Sequence, residues 1–159
     1  MQLFCWFGPM VTDYFWVDLG LALTVAIPLV KTREVLSFPL SSLCLIPGVR
    51  PELLGVSNQR GNLLWVVDLP RLLSPTTAQP LNYRTLSNTK AVVLVGESAQ
   101  AAAIAKEFKG IVSFSEAELT PINEPFLRWE GNRDGEAILI LDVDPIFAWF
   151  QGSSSLKFP

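Results

Sequence analysis

The strongest constraint on the fold is an internal repeat, because one segment of the chain recurs 74 residues further on. Residues 53–73 align with residues 127–147. Four landmarks match in this alignment: Leu53 with Leu127, Asn58 with Asn132, Gly61 with Gly135, and Asp68 with Asp142. Between the last two landmarks the runs LLWVV and AILIL are apolar at every position. We therefore expect one structural unit, a polar turn followed by a buried strand, to occur twice.

The turn of the first copy is the stronger candidate for a functional site than the turn of the second copy. Arg60 precedes a glycine there, and this pair predicts a tight turn from which the guanidinium projects. The second copy has Asp134 at the equivalent position. We interpret Arg60 as a partner contact or as half of a positioned ion pair, with Glu34 as the candidate counter-ion. The alternatives are a solvated turn arginine and an ordinary exposed strand glutamate.

Short strands account for most of the chain. Residues 21–27 alternate large and small apolar side chains with period two, which is typical of a strand with one buried face. The run at 63–67 is apolar without alternation, so both of its faces are expected to be buried. Residues 99–106 are compatible with either a strand or a short helix. Further strands are predicted at 32–38, 53–56, 90–95, 110–114 and 137–141.

Helices are predicted to be short and to follow strands. Asp68 or a close neighbour is expected to cap a helix reaching Leu73, and Asp144-Pro145 is a favourable start for a helix over 146–150. Residues 40–52 are expected to form an irregular connection. We also expect a linker or exposed loop over 74–88 and a mobile tail over 151–159.

These elements indicate an all-β domain with short helices and two similar halves. The approximate halves are 14–74 and 89–150 within one domain spanning 1–159. Paired small β-barrels satisfy the pattern, because closing a sheet removes the exposed edges of short strands.

Composition argues against several classes of function. The chain has no histidine, which removes the commonest general base and zinc ligand. Its net charge of −3 argues against nucleic acid as the main ligand. Asp68 and Asp142 end equivalent strands in different halves, so we interpret them as structural residues and not as a catalytic pair. We expect no catalytic residue, no metal site and no cofactor.

Apolar residues make up 50% of the chain, which indicates either surface covered by partners or a dense β core. The apolar stretch at 15–30 is too short for a membrane span and contains an aspartate, so we expect a cytoplasmic protein that does not insert into a membrane. Cys5 and Cys44 are expected to be buried thiols, with a disulfide as the lesser alternative. Trp65 is expected in the core, whereas four tryptophans near segment ends are interface anchors or barrel caps: Trp6, Trp16, Trp129 and Trp149.

The segment from Leu21 to Leu73 resembles the CheW family of chemotaxis coupling proteins. Family members carry a run of the form GV-x-N-x-RG, then an apolar strand and Asp-Leu, which is present here at residues 55–69. An alternating strand followed by a Glu-Val pair also matches, as LALTVAI and then Glu34-Val35. A Pro-Gly pair before the turn, Pro47-Gly48, agrees with the same pattern.

The resemblance implies two five-stranded β-barrels packed around a shared core. It further implies a non-enzymatic adaptor that links the cytoplasmic tip of a chemoreceptor to the regulatory domain of a CheA-type histidine kinase. The residues that it assigns to partner binding are Glu34, Val35, Asn58, Arg60 and Gly61. In this assignment Glu34 and Arg60 set polar register, Val35 makes an apolar contact, and Asn58 and Gly61 hold the turn. Two alternatives stay open: a module of this fold that serves another signalling assembly, and a small enzyme.

Overall fold

The computed structural model describes residues 8–74 and 88–152, and in these residues eleven strands are joined by short connections and two α-helices. Two α-helices follow the fifth and the last strand, α1 (Leu69–Leu73) and α2 (Val143–Gly152). The strands are β1 (Val11–Gly20), β2 (Leu23–Pro28), β3 (Thr32–Phe38), β4 (Leu53–Gln59), β5 (Asn62–Val67), β6 (Thr89–Val95), β7 (Gln100–Ala105), β8 (Glu107–Ser115), β9 (Thr120–Glu124), β10 (Leu127–Arg133) and β11 (Glu136–Leu141).

The strands form two sheets, which we call sheet A and sheet B. Sheet A has the order β8-β1-β2-β11-β10-β9, and sheet B has the order β3-β6-β7-β5-β4. Each sheet takes strands from both ends of the chain, because β1 and β2 pair with strands of the second half and β6 and β7 pair with strands of the first. The junctions are the parallel pairs β2–β11 and β5–β7. The repeated units are therefore interleaved in space.

The all-β prediction is confirmed, but the sheets are not closed barrels. Sheet A ends at β8 and β9, and sheet B ends at β3 and β4. After β3 the chain returns toward β4 and makes one isolated bridge, in which Cys44 and Val56 exchange two backbone hydrogen bonds of 2.9 Å. A 3-10 helix at Leu40–Ser42 and this bridge lie within the connection that was expected to be irregular.

Most of the predicted elements are present, with shifted bounds. The predicted strand at 21–27 begins at Leu23, because Leu21 and Ala22 have φ of 55° and 57° and form a turn. The ambiguous segment at 99–106 is the strand β7. The mobile tail was placed too early, since α2 continues to Gly152. The rest of that tail, 153–159, and the linker region at 75–87 lie outside the described residues.

The repeat predicted from the sequence is a hairpin followed by a helix. The Asn58 Oδ1 accepts a hydrogen bond from the Gly61 N–H at 2.9 Å, and the Asn132 Oδ1 accepts one from the Gly135 N–H at 3.2 Å. Both glycines and the residues before them have positive φ, which is the backbone of a type I′ hairpin turn. A register shift also falls near the start of β4 and near the start of β10. The two hairpins therefore share turn chemistry as well as sequence.

We expect Asn58→Ala and Asn132→Ala each to lower the free energy of unfolding by about 1 kcal/mol. Each substitution removes the acceptor that holds one turn glycine in place. Urea denaturation of the two variants measures both losses. A clear loss in one variant and none in the other would contradict the equivalence of the turns.

The core has three parts, and the largest one lies between the sheets. It joins side chains of both sheets and both helices, including Val17, Val67, Leu94 and Phe150. Two smaller clusters cover the other face of each sheet, one around Phe38, Leu54 and Val66, the other around Tyr14, Phe114 and Ile138. The shared core implied by the resemblance is thus present. Trp65 is 7% exposed and belongs to the central cluster, as predicted.

The predicted helix cap at Asp68 is confirmed. Its Oδ1 accepts a hydrogen bond from the Arg71 N–H at 3.2 Å, and Pro70 lies in the first turn of α1. Proline is tolerated there because the first turn has no intrahelical partner for its N–H. The Asp68 N–H donates to the Glu52 carbonyl at 2.8 Å, which ties the start of the helix to the base of β4.

The prediction of a buried thiol at Cys44 is wrong, because Cys44 is exposed. Its apolar neighbours belong to an exposed connection, where Leu45 is 66% exposed. The backbone bridge to Val56 holds this segment along the edge of sheet B, outside the core. Cys5 lies outside the described residues, as does Trp6. The described tryptophans near segment ends, Trp16, Trp129 and Trp149, are partly buried against the hydrophobic clusters, which fits the cap alternative.

Candidate functional site

A groove of about 710 Å³ lies at one end of sheet B. It is lined by β3, by the β4–β5 turn with the start of β5, and by the β6–β7 connection. The groove therefore includes the Arg60-Gly61 turn, where the sequence placed recognition.

The groove continues one face of sheet B past the end of its core. Leu36 and Phe38 pack in the cluster on that face, and Leu36 also lines the groove. Side chains two residues apart point to the same face of a strand. Leu64 precedes Val66 on β5 in the same way and also lines the groove. The lining thus combines apolar residues that continue this face with polar residues from the neighbouring turns.

The predicted site residues separate into two groups. Glu34, Arg60 and Gly61 line the groove together, whereas Val35 and Asn58 do not. Val35 is adjacent on β3, where it pairs with Val92 and is 45% exposed. Asn58 supports the turn from its own strand.

The ion pair considered between Glu34 and Arg60 is not formed. In sheet B, β6 and β7 lie between β3 and β5. Three inter-strand spacings amount to about 14 Å along a sheet, which is too far for the two side chains to meet directly. The sequence indicated which side chains share the site but not the distance between them.

The groove presents charges of both signs to solvent. Arg33, Glu34, Arg60 and Glu97 all line it and are exposed. The Arg33 Nη1 donates to the Gln100 Oε1 at 3.1 Å, so its guanidinium has a neutral partner. In the described part of the chain Arg60 forms no ion pair. Such a surface suits recognition of a partner with charges in a complementary arrangement.

Leu63 adds an apolar element beside these charges. It lines the groove and is 51% exposed, although it begins the apolar run that the sequence assigned to the core on both faces. The residue lies next to the turn, where β5 extends beyond its pairing with β7. Sequence reasoning missed this site residue, and it also missed Arg33, Glu97 and Gln100. The polar pair Glu97-Ser98 between two predicted strands was the available signal.

Beside the corresponding turn of sheet A, an arginine packs against the protein itself. Phe114 is 1% exposed there, and the Arg133 guanidinium lies over its ring at 4.6 Å. Arg133 also donates to the Ser113 carbonyl and lies 3.7 Å from Glu118. Gly131 leaves room for the ring, since a Cβ there would come within 2.8 Å of Phe114. The arginine beside the second turn is therefore held against the protein, whereas Arg60 of the first turn lies in an open groove.

The carboxyl groups whose pKa values depart from their ordinary values lie outside the groove. Hydrogen bonds from the Ser115 backbone and hydroxyl lower the pKa of Glu118. The Thr24 hydroxyl, and then Lys109, lower the pKa of Glu136. Burial raises the pKa of Asp68. Each of these shifts has a structural cause, so none of them marks a catalytic pair in the groove.

Two features are absent from residues 8–74 and 88–152. No cluster of three or more potential metal-ligating side chains occurs in these residues. None of their helices combines the length and the apolar composition that crossing a membrane requires.

Known proteins resemble the chain in sequence pattern and in fold. The model of the CheW-like domain matches residues 13–151. The crystal structure of the scaffolding protein TtCheW from Thermoanaerobacter tengcongensis superposes with a TM-score of 0.75 at 17% identity, covering 92% of this chain and 99% of that chain. Among curated proteins, none matches the chain. Because the domain model covers nearly all of the sequence, the chain belongs to the CheW-like domain family.

Proposed function

We propose that this protein is a non-enzymatic scaffold that couples chemoreceptors to a CheA-type histidine kinase in the cytoplasm. The pathway served is chemotaxis, phototaxis or pilus motility. Membership of the CheW-like domain family and the fold shared with a scaffolding protein support this function. The observation that carries it is the open groove at the β4–β5 turn, which exposes charges of both signs to a partner.

Within this proposal the charges of Arg60 and Glu34 set the position and orientation of the bound partner in the groove. Their charges face solvent on opposite sides of the groove, and neither is neutralised within the described chain. Val35 contributes an exposed apolar contact beside the groove. Asn58 and Gly61 hold the turn that carries Arg60. Charges of this kind add modest affinity and strong selectivity for orientation.

Reversing the charge of Arg60 is expected to weaken partner binding by tenfold or more, about 1.4 kcal/mol. The Arg60→Glu variant should keep its fold, because Arg60 is exposed and forms no ion pair in residues 8–74 and 88–152. Isothermal titration calorimetry with a receptor cytoplasmic-tip fragment, and separately with the kinase regulatory domain, measures the loss.

Asp134→Arg is the matched control, since Asp134 occupies the same turn position in the second hairpin. Binding of this variant should equal that of the wild type. If the wild-type chain binds neither the receptor fragment nor the kinase domain, both taken from the same cell as the chain, the proposed coupling is overturned. That result would favour another signalling assembly. Undiminished binding of Arg60→Glu would show that the partner is recognised at a surface other than this groove.

A further inference from the structure

Two carboxyl groups face each other at the base of the β4–β5 hairpin. Glu52 directly precedes β4, and Asp68 directly follows β5. The pairing of Leu53 with Val67 places Glu52 opposite Asp68, and the Asp68 N–H donates to the Glu52 carbonyl at 2.8 Å. Residues directly opposite in an antiparallel pair hold their Cβ atoms about 4.5–5.5 Å apart. The two carboxyl groups are therefore neighbours.

Each of these carboxyl groups has one buried oxygen that lacks a hydrogen-bond partner. Asp68 is 2% exposed, and its Oδ1 accepts from the Arg71 N–H, whereas its Oδ2 has no partner within the described chain. The Glu52 Oε2 is likewise buried and unpartnered there. Two ionised carboxylates in this arrangement would combine like-charge repulsion with the cost of burying acceptors that receive no donor.

No ion pair among the described residues includes Glu52 or Asp68. Arg71 on α1 acts on Asp68 through its charge as well as its N–H. On β1, which contacts α1, Asp13 accepts from Ser113 and Asp18 accepts from Gly20, and β7 contributes no charged residue. In the turn before Glu52, Arg50 lies over the Trp149 ring at 4.0 Å.

We propose that Glu52 and Asp68 hold one proton between them, and that this proton fastens α1 to the base of the β4–β5 hairpin. The protonated carboxyl donates its O–H to an oxygen of the ionised one, so a single proton satisfies both buried oxygens. It also removes one of the two like charges. Loss of the proton leaves two facing carboxylates, and binding of a second proton leaves a neutral pair.

The sign of the pH dependence follows from burial. Burial raises the pKa of Asp68 above its ordinary value, the charge of Glu52 adds to this rise, and the Arg71 hydrogen bond and charge oppose it. The folded state therefore binds the proton more tightly than the unfolded chain does. The stabilisation is fully present below the ordinary pKa and is lost as pH rises through the raised value. Each unit of difference changes the unfolding equilibrium tenfold.

Amide substitutions test the shared proton. Asp68→Asn keeps the Oδ1 cap and supplies a permanent N–H donor where the proton would lie, and Glu52→Gln does the same from the other side. At about pH 8 each variant is expected to unfold at a higher urea concentration than the wild type, and the advantage should shrink toward about pH 4.5, near ordinary carboxyl pKa values. The double variant should gain less than the sum, because either change relieves the same repulsion.

Subtracting the urea-denaturation midpoint of the wild type from that of each variant at the same pH removes the contribution of the other titrating groups. Asp142→Asn is the control, because Asp142 ends the equivalent strand of the second repeat and is only half-buried. A pH-independent difference for Asp68→Asn, or a lower midpoint than the wild type at about pH 8, would overturn the proposal. Carboxyl ¹³C NMR of the wild-type chain provides the direct readout. A shared proton requires at least one of the two groups to titrate well above its ordinary pKa, and two ordinary titrations contradict it.

Discussion

Phe114→Ala is expected to lower the free energy of unfolding by about 3–5 kcal/mol, the range for a fully buried aromatic side chain. Phe114 is 1% exposed and fills the space over the bare Cα of Gly131. Its ring also lies 6.1 Å from the ring of Tyr14 and supports the Arg133 guanidinium. Truncation to alanine leaves a cavity that these rigid neighbours cannot close. Urea denaturation of the purified variant measures the loss.

Phe114→Leu is the matched control, because it keeps most of the apolar volume and should cost clearly less than the alanine variant. Partner binding at the groove of sheet B should not change in a folded Phe114→Leu protein, since Phe114 belongs to the cluster of the other sheet. A loss below about 1 kcal/mol for Phe114→Ala would mean that this end of sheet A is not packed as described.

Gly55→Ala is expected to lower the free energy of unfolding by about 2–4 kcal/mol, through backbone strain and a direct clash. Gly55 has φ of 146°, a conformation that residues with a Cβ rarely adopt. A Cβ at this position would also come within 2.5 Å of the Cys44 carbonyl oxygen. Because that oxygen accepts the Val56 N–H, the clash falls on the bridge that draws the 40–52 connection against β4. The urea-denaturation midpoint reports the effect.

Gly61→Ala separates the cost of backbone strain from the cost of a steric clash. Gly61 also has a positive φ, of 86°, but a Cβ there meets no described atom within 4 Å. This control should cost about 1 kcal/mol, from the backbone conformation alone. Equal losses in the two variants would show that the contact with Cys44 contributes nothing.

Local rules predicted the repeated hairpin because its determinants lie within a few residues. The Asn58 and Asn132 bonds to the turn glycines, and the Asp68 cap, depend on short spacings in the sequence. The strand β3 also matches its predicted range, Thr32–Phe38. Periodicity and turn chemistry are properties of short segments, so they can be read without knowing the tertiary fold.

Longer-range features were missed for physical reasons. The strand β1 was not predicted, because its mixed aromatic and charged residues show no clean alternation. Cys44 was expected to be buried, but an apolar neighbourhood in sequence does not reveal an exposed connection. The interleaving of the two halves depends on the parallel pairs β2–β11 and β5–β7, whose members are distant in the chain.

The sequence by itself determined that one hairpin–helix unit occurs twice, and that only the first copy places an arginine directly before the turn glycine. The tertiary structure decided that Arg60 lies in an open groove, while Arg133 beside the second turn packs over Phe114. That difference depends on Phe114, Gly131 and Arg133, which β8 and β10 bring together across sheet A. Contacts between residues distant in the chain hold Arg133 against the protein, and short-range sequence patterns do not encode such packing.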